Sequence, residues 1–354
     1  MSAAEVVPKT HKAAIFDTIG GPIVVRDVPT PEPGPDQILV KIIYSGVCHT
    51  DLHIWAGKDW PVETKTPMVG GHEGAGVVVK VGSHVTNFKV GDRAGIKWMN
   101  STCLCCEMCR KGFEPNCANG LNSGLGIHGS FQQYALVKGT EAAPIPADVD
   151  LAKAAPILCA GVTVYKALKV SDVKAGEIVA ITGAGGGLGS LAIQYAKAMG
   201  MRVLAIDVGG AKELHCKNLG AEWYVDAGAT DDIVQTIVKL TNGGPHGVVN
   251  VATAEKPIEQ STQYVRTRGT VVLVSLPKDA KIKADVFWTV FRTITIKGSY
   301  VGTRQDTEEA LDFLRRGLVD IPIQILPLSS LPDVYDRMLK GTIIGRVVLD
   351  VWKA

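Results

Sequence analysis

The chain has 354 residues, 46% hydrophobic and 20% charged, which is enough for two well-cored domains. Its 37 basic and 35 acidic residues leave a net charge of +2, so neither nucleic acid nor an anionic membrane is an expected partner. No apolar run approaches the roughly 20 residues of a bilayer span, and residues 1–10 carry neither a signal h-region nor an Arg-rich amphipathic pattern, so a soluble, cytosolic protein is expected.

Short alternating apolar runs open the chain at residues 13–16, 23–25 and 37–43, with a Pro-rich turn over 29–35. The same texture continues through 74–79 and 88–93. Short strands punctuated by Gly and Pro predict a mainly β, barrel-like first domain. After about residue 160 the pattern changes. An apolar strand at 178–182 leads into a tight glycine turn, then an amphipathic helix at 190–199 and a second strand at 202–206 ending in Asp207. Further strand-like runs lie at 247–251, 270–274 and 294–298 with helical segments between them, which predicts βαβ units and a doubly wound parallel sheet. Helices at 307–315 and 331–340 and a strand at 345–351 complete the chain.

The glycine turn reads as a dinucleotide site with an imperfect fingerprint. Fitted to G-x-G-x-x-G, Ala184 takes the first glycine position, with Gly183 one residue earlier and Gly186 and Gly189 in place. Gly187 and Leu188 complete the turn, where backbone approaches a pyrophosphate and the helix N-terminus stabilises it. Asp207, 18 residues beyond Gly189, can accept hydrogen bonds from ribose hydroxyls and would repel a 2′-phosphate, so NAD is expected over NADP. The bland alternative for Asp207 is a solvated strand end.

Five of eight Cys lie between Cys103 and Cys117, and without a secretion signal such crowding favours metal over disulfides. Cys103, Cys106, Cys109 and Cys117 follow C-x2-C-x2-C-x7-C, four thiolates that one loop can wrap around a tetrahedral ion as a closed, structural zinc site. An iron–sulfur centre starts with the same spacing, and reduced inert thiols are the third reading; the longer final gap favours zinc. Cys105 is an extra thiol that competes as a ligand or oxidises. A second, open site draws on three separate segments: Cys48, His72 and Cys159. Singly these read as a core Cys, a His in a glycine turn and a Cys at a helix start; together they match a Cys2His catalytic set with one position left for substrate. Glu73 is an alternating fourth ligand or an electrostatic modulator, and Asp51 is placed to accept the free ring N–H of His72. Cys216 and His11, His84, His128, His215 and His246 are assigned to structure or surface.

With residues 44–53, 71–76, 155–168 and 298–302 added, the chain resembles the zinc-dependent medium-chain alcohol dehydrogenases over essentially its whole length, and specifically the fungal, yeast-type tetrameric kind. The resemblance implies a GroES-like catalytic domain at 1–160 carrying both zinc sites, a Rossmann domain at 161–300, a return to the catalytic domain at 301–354, and a homotetramer. It implies hydride transfer between a short primary alcohol, ethanol above all, and NAD. Zinc acts as the Lewis acid that makes the alkoxide form near neutral pH, and Thr50 passes the proton through the cofactor ribose to His53, whose unperturbed pKa of about 6.5 suits exchange with solvent. The resemblance also places His49 near the cofactor phosphate, Lys212 near the adenosine ribose and Arg346 on the pyrophosphate. It puts Val274, Leu276, Ser299 and Val301 around the nicotinamide, and Trp60 and Trp98 on the walls of a narrow substrate pocket. Cys105, Val208 and Leu276 depart from the family pattern and leave both ligand sets intact. The rivals are a zinc polyol or formaldehyde dehydrogenase, and a zinc-loop binding protein whose Rossmann domain only senses NAD(H). Thr50 and His53 beside a zinc ligand favour the enzyme.

Overall fold

In the computed structural model, which describes residues 6–58, 61–343 and 345–353, the chain starts as a hairpin of β1 (Thr10–Phe16) and β2 (Ile23–Pro29). β3 (Gln37–Gly46) follows and runs into α1 (His49–Ala56). Next come β4 (Met68–Val69), β5 (Gly74–Val81), β6 (Arg93–Ile96) and β7 (Met99–Ser101). The cysteine-rich loop holds only the short helix α2 (Glu107–Arg110) and a 3-10 turn at Glu114–Asn116 before β8 (Leu121–Asn122), β9 (Tyr134–Lys138) and β10 (Ala143–Pro144). A last helix of this region, α3 (Leu151–Pro156), passes into a π-turn at Ile157–Gly161 and then α4 (Val162–Val170). The helical stretch Leu151–Val170 corrects the expectation that no apolar run reaches membrane-spanning length. It is 20 residues long and apolar enough, but 78% of its most apolar 18-residue window is buried inside the fold, where a core helix needs the same composition.

The expected parallel sheet occupies the middle of the chain. β11 (Ile178–Thr182) leads into α5 (Gly187–Ala198), then β12 (Arg202–Asp207), α6 (Ala211–Leu219), β13 (Trp223–Asp226), α7 (Ile233–Leu240), β14 (Gly247–Asn250), α8 (Glu255–Tyr264), β15 (Thr270–Leu273), α9 (Val286–Phe291) and β16 (Thr295–Gly298). All five pairings are parallel in the order β13-β12-β11-β14-β15-β16, so the strand order reverses between β11 and β14. Ligands of such sheets sit beyond the carboxyl ends of the strands at that reversal. Val179, Ala180 and Ile181 are at most 0% exposed, as expected of a strand covered on both faces.

The chain then forms α10 (Arg304–Arg315), β17 (Ile323–Pro327), α11 (Leu331–Leu339) and β18 (Arg346–Asp350). β18 pairs antiparallel with β3 across Tyr44–Gly46, which completes the sheet β10-β6-β5-β3-β18-β17 with β9 also on β3. Its core gathers Ile38, Val40 and Ile42 of β3 with Val78, Ile96, Phe131 and Leu349. By contacts the chain forms two units. One takes the chain up to Cys159, Thr303–Arg315 and everything from Ile321; the other takes Ala160–Gly302 and Arg316–Asp320.

Candidate active site

Two of the metal-ligand candidates are held by one carboxylate. Asp51, in the first turn of α1, is 3% exposed. Its Oδ2 accepts the Cys48 backbone N–H at 3.1 Å; its Oδ1 accepts the Gly71 N–H at 3.0 Å and His72 Nδ1 at 2.8 Å. A carboxylate on Nδ1 assigns the proton there and leaves the Nε2 lone pair for another partner. Nε2 is buried with no hydrogen-bond partner in the protein. The sulfurs of Cys48 and Cys159 and the His72 ring nitrogen lie within 4.8 Å of one another. Cys159 reaches this point from the π-turn after Pro156, which lacks the N–H that would continue the α-helical ladder. Trp98, 5% exposed, packs edge-on against the His72 ring at 5.1 Å.

The electrostatics suit a cation. A hydrogen bond from Cys159 pulls the Cys48 thiol well below its ordinary pKa, and the same bond together with burial pushes Cys159 well above its own. Burial disfavours a charged His72, yet the Asp51 carboxylate and Cys48 overcome it and hold that pKa well above normal. In place of a proton on Nε2, a divalent ion satisfies both sulfurs and the ring at once. Two soft thiolates and one imidazole make a three-donor zinc set with an open fourth position.

Glu73 lies outside this set. Its carboxylate, 0% exposed, pairs through both oxygens with Arg346 Nη2 at 2.5 Å. Burial raises the Glu73 pKa to about 7 against the pull of Arg346. Gly46 makes room for this pair, since a Cβ there would fall 1.9 Å from Glu73 Oε2. Arg346 is 7% exposed with its Nε unpartnered, and it sits on Glu73 inside the same unit. Nothing in the local sequence signals a pair separated by 273 residues.

The second cluster gathers Cys103, Cys106, Cys109 and Cys117, again with donor atoms within 4.8 Å of one another. Backbone N–H groups point at the sulfurs: Cys106 N to Cys103 Sγ at 3.4 Å, Cys109 N to Cys106 Sγ at 3.5 Å and Cys103 N to Cys117 Sγ at 3.5 Å. N–H groups of Cys105 and Cys106 hold the Cys103 thiol down to about 6, while burial pushes Cys109 up to about 12. All four are free thiols, and four sulfurs gathered in this way suit a tetrahedral metal ion, with no position left open. Cys105 is exposed and outside the cluster.

In the other unit, the turn after β11 brings the glycines and Asp207 together. Gly183 has φ +72°, and α5 starts at Gly187 with Gly186 as its N-cap, so no side chain occupies the first-turn N–H groups. At Gly189 a Cβ would fall 2.2 Å from Gly183 O, because helix and strand meet there backbone to backbone. Asp207 accepts the Gly185 N–H at 2.8 Å and Lys212 Nζ at 2.7 Å, which turns its carboxylate toward the turn. Ser299 donates its N–H to Leu273 O at 2.9 Å, and Val301, a β-branched residue, sits at φ +40°. Val274 is buried at the end of β15, and Leu276 is 66% exposed. Thr50 and His53 are half-buried on α1, and the His49 and His53 rings lie 5.7 Å apart. Trp60 lies outside the described residues. Four of the histidines set aside in the sequence have side-chain partners: His11 bonds Gln132 at 3.0 Å, His128 accepts the Val69 N–H, His215 bonds Ser190 and His246 accepts the Ile178 N–H.

Comparison with known proteins agrees with this geometry. Residues 34–147 match the family described as alcohol dehydrogenase GroES-like domain, and residues 187–316 match the zinc-binding dehydrogenase family. The chain is 58% identical to alcohol dehydrogenase 1 of Caenorhabditis elegans over 346 residues, covering 97% of this chain and 98% of the relative. It is 54% identical to alcohol dehydrogenase 2 of the same organism, covering 99% of each. Among solved structures, acetophenone reductase from Geotrichum candidum in complex with NAD superposes with a TM-score of 0.85 at 30% identity, covering 98% of both chains.

Proposed function

The chain belongs to the medium-chain zinc-binding alcohol dehydrogenases and is an alcohol dehydrogenase; from that premise we propose that it interconverts short primary alcohols and aldehydes with NAD, ethanol and acetaldehyde first. The observation that carries the reading is the buried, unpartnered Nε2 of His72 between two thiols, with Thr50 and His53 on the helix that begins beside Cys48. Bound at Cys48, His72 and Cys159, zinc supplies a Lewis acid for the alcohol oxygen, and NAD+ supplies the hydride acceptor. The chain's own residues do the rest. Asp51 orients His72 and the start of α1 together. Thr50 holds the proton leaving the alcohol, and His53, half-buried one helical turn further on, exchanges it with water. Trp98 narrows the space beside His72 and so favours small substrates. The second zinc, on the four-cysteine loop, is structural.

Asp207 with the turn from Gly183 to Gly189 selects NAD over NADP, because a 2′-phosphate would meet a carboxylate. The yeast-type, tetrameric branch is the assembly we favour. It is supported by α9, where Val286, Phe287, Val290 and Phe291 are 65% to 77% exposed, an apolar face that a monomer has no reason to keep. A cytosolic location is supported by eight free cysteines, seven of them in clusters or burial that need reduced sulfur. The test is NADH formation with ethanol, longer alcohols and a polyol, before and after chelation. Fast ethanol turnover abolished by chelator is expected. Turnover indifferent to chelator sinks the Cys48–His72–Cys159 site, and faster polyol turnover sinks the substrate assignment.

A further inference from the structure

The four-cysteine loop reaches beyond its own ligands. Glu114, between Cys109 and Cys117 in that loop, is 2% exposed. Its Oε1 accepts the backbone N–H of Arg304 at 2.6 Å and faces Arg304 Nε at 3.4 Å. Arg304 is the first residue of α10, so a carboxylate from the loop caps that helix where its dipole is positive. A second buried acid reinforces the anchor. Glu141, 0% exposed, accepts Thr102 Oγ1 at 2.5 Å next to the first loop cysteine, accepts Lys97 Nζ at 3.0 Å, and faces Arg304 Nη1 at 4.0 Å.

Just before Arg304 the chain is held tightly. The Thr303 N–H and Oγ1–H both donate to Asp306 Oδ2, at 3.0 and 2.8 Å. Four residues earlier the Ser299 N–H is tied to Leu273 O. Between these ties lie only Tyr300, Val301 and Gly302, and Val301 occupies φ +40°, which a β-branched residue keeps only where its surroundings over-determine it.

We propose that Glu114 is a positioning residue for NAD: through Arg304 it carries the order of the zinc loop to the segment 299–303, so the state of that loop sets cofactor affinity. This rests on the reading that Ser299 and Val301 meet the nicotinamide. The closed zinc site then has a task besides holding its own loop: it fixes one end of a short, strained span whose backbone serves the cofactor.

The test compares holoenzymes of wild type, Glu114→Ala, Glu114→Gln and Arg304→Ala for zinc per chain, for NADH affinity by fluorescence titration, and for KM and kcat. Glu114→Ala is expected to keep both zinc ions and bind NADH about tenfold more weakly, with KM for NAD raised and kcat unchanged. Glu114→Gln, whose amide oxygen still accepts the Arg304 N–H, recovers most of the affinity. Arg304→Ala keeps the backbone bond and shows a smaller loss. Wild-type NADH affinity in Glu114→Ala overturns the proposal, whatever happens to its melting temperature. If that variant does not fold, wild-type affinity in Arg304→Ala overturns it instead. A wild-type enzyme that fails to bind NADH would refute the underlying cofactor reading, a separate result.

Discussion

Asp51 serves three donors at once, and its replacement tests the metal site more sharply than removal of a ligand does. Asp51→Asn is expected to weaken zinc at the Cys48–His72–Cys159 site by roughly 10- to 100-fold, read by chelator competition, with the loop zinc retained. Arg346→Ala leaves Glu73 buried without its cation and is expected to cost about 3–5 kcal/mol in denaturant unfolding. Glu73 also gives a pH signature. Its folded pKa of about 7 lies above the ordinary 4.5, so in zinc-free protein the fold holds a proton that the unfolded chain has released. Its contribution to stability is therefore full below about pH 4.5 and is lost as pH rises toward about 7. Denaturation midpoints of the zinc-free protein at pH 5 and pH 8 should show this loss, and Glu73→Gln should remove most of it. The grouping of Cys48, His72 and Cys159 was legible at this scale because soft donors and glycine turns have few other uses together. The Glu73–Arg346 pair was not, because an ion pair carries no spacing rule and its partners are distant in the chain.

Helix starts show which local signals matter. α5 begins at Gly187, three residues before the apolar pattern alone suggests, because Gly187, Leu188 and Gly189 adopt helical backbone while leaving their N–H groups uncovered. α10 begins at Arg304 where the pattern pointed to residue 307; the signal was present in Thr303-x-x-Asp306, a capping pair whose side chains bond each other's backbone. The turn after β11 is the least forgiving element. Gly189→Ala drives a Cβ into the Gly183 carbonyl and Ala184, backbone that has no room to yield. It is expected to destabilise by about 1–3 kcal/mol and to lower NADH affinity, measured by denaturant titration and fluorescence. Gly185→Ala puts a Cβ 2.7 Å from Lys212 Cδ and 3.0 Å from its Cβ and Cγ, so the root of that side chain must shift and a smaller loss of stability than for Gly189→Ala is expected.

For the whole molecule, the change of texture near residue 160 was legible because a parallel sheet buried on both faces demands apolar runs that an antiparallel barrel does not. The second crossing was harder to place. Thr303–Arg315 joins the first unit and Arg316–Asp320 returns to the second, a detail carried by tertiary contacts with no compositional mark. The four-cysteine loop has little core of its own, so metal must supply its folding energy. Cys109→Ser is expected to halve the zinc per chain and lower the melting temperature by roughly 5 °C or more, by elemental analysis and thermal scan. The pairing of β18 with β3 matters most while the chain is being made. At about 5–20 residues per second, the Tyr44–Gly46 edge waits some tens of seconds after it leaves the ribosome for Val348–Asp350 to arrive. Through that interval Glu73 has no Arg346, and the nascent first unit carries an open sheet edge beside an unmatched acid. The parallel sheet, whose last strand ends at Gly298, is fully synthesised before that partner strand appears.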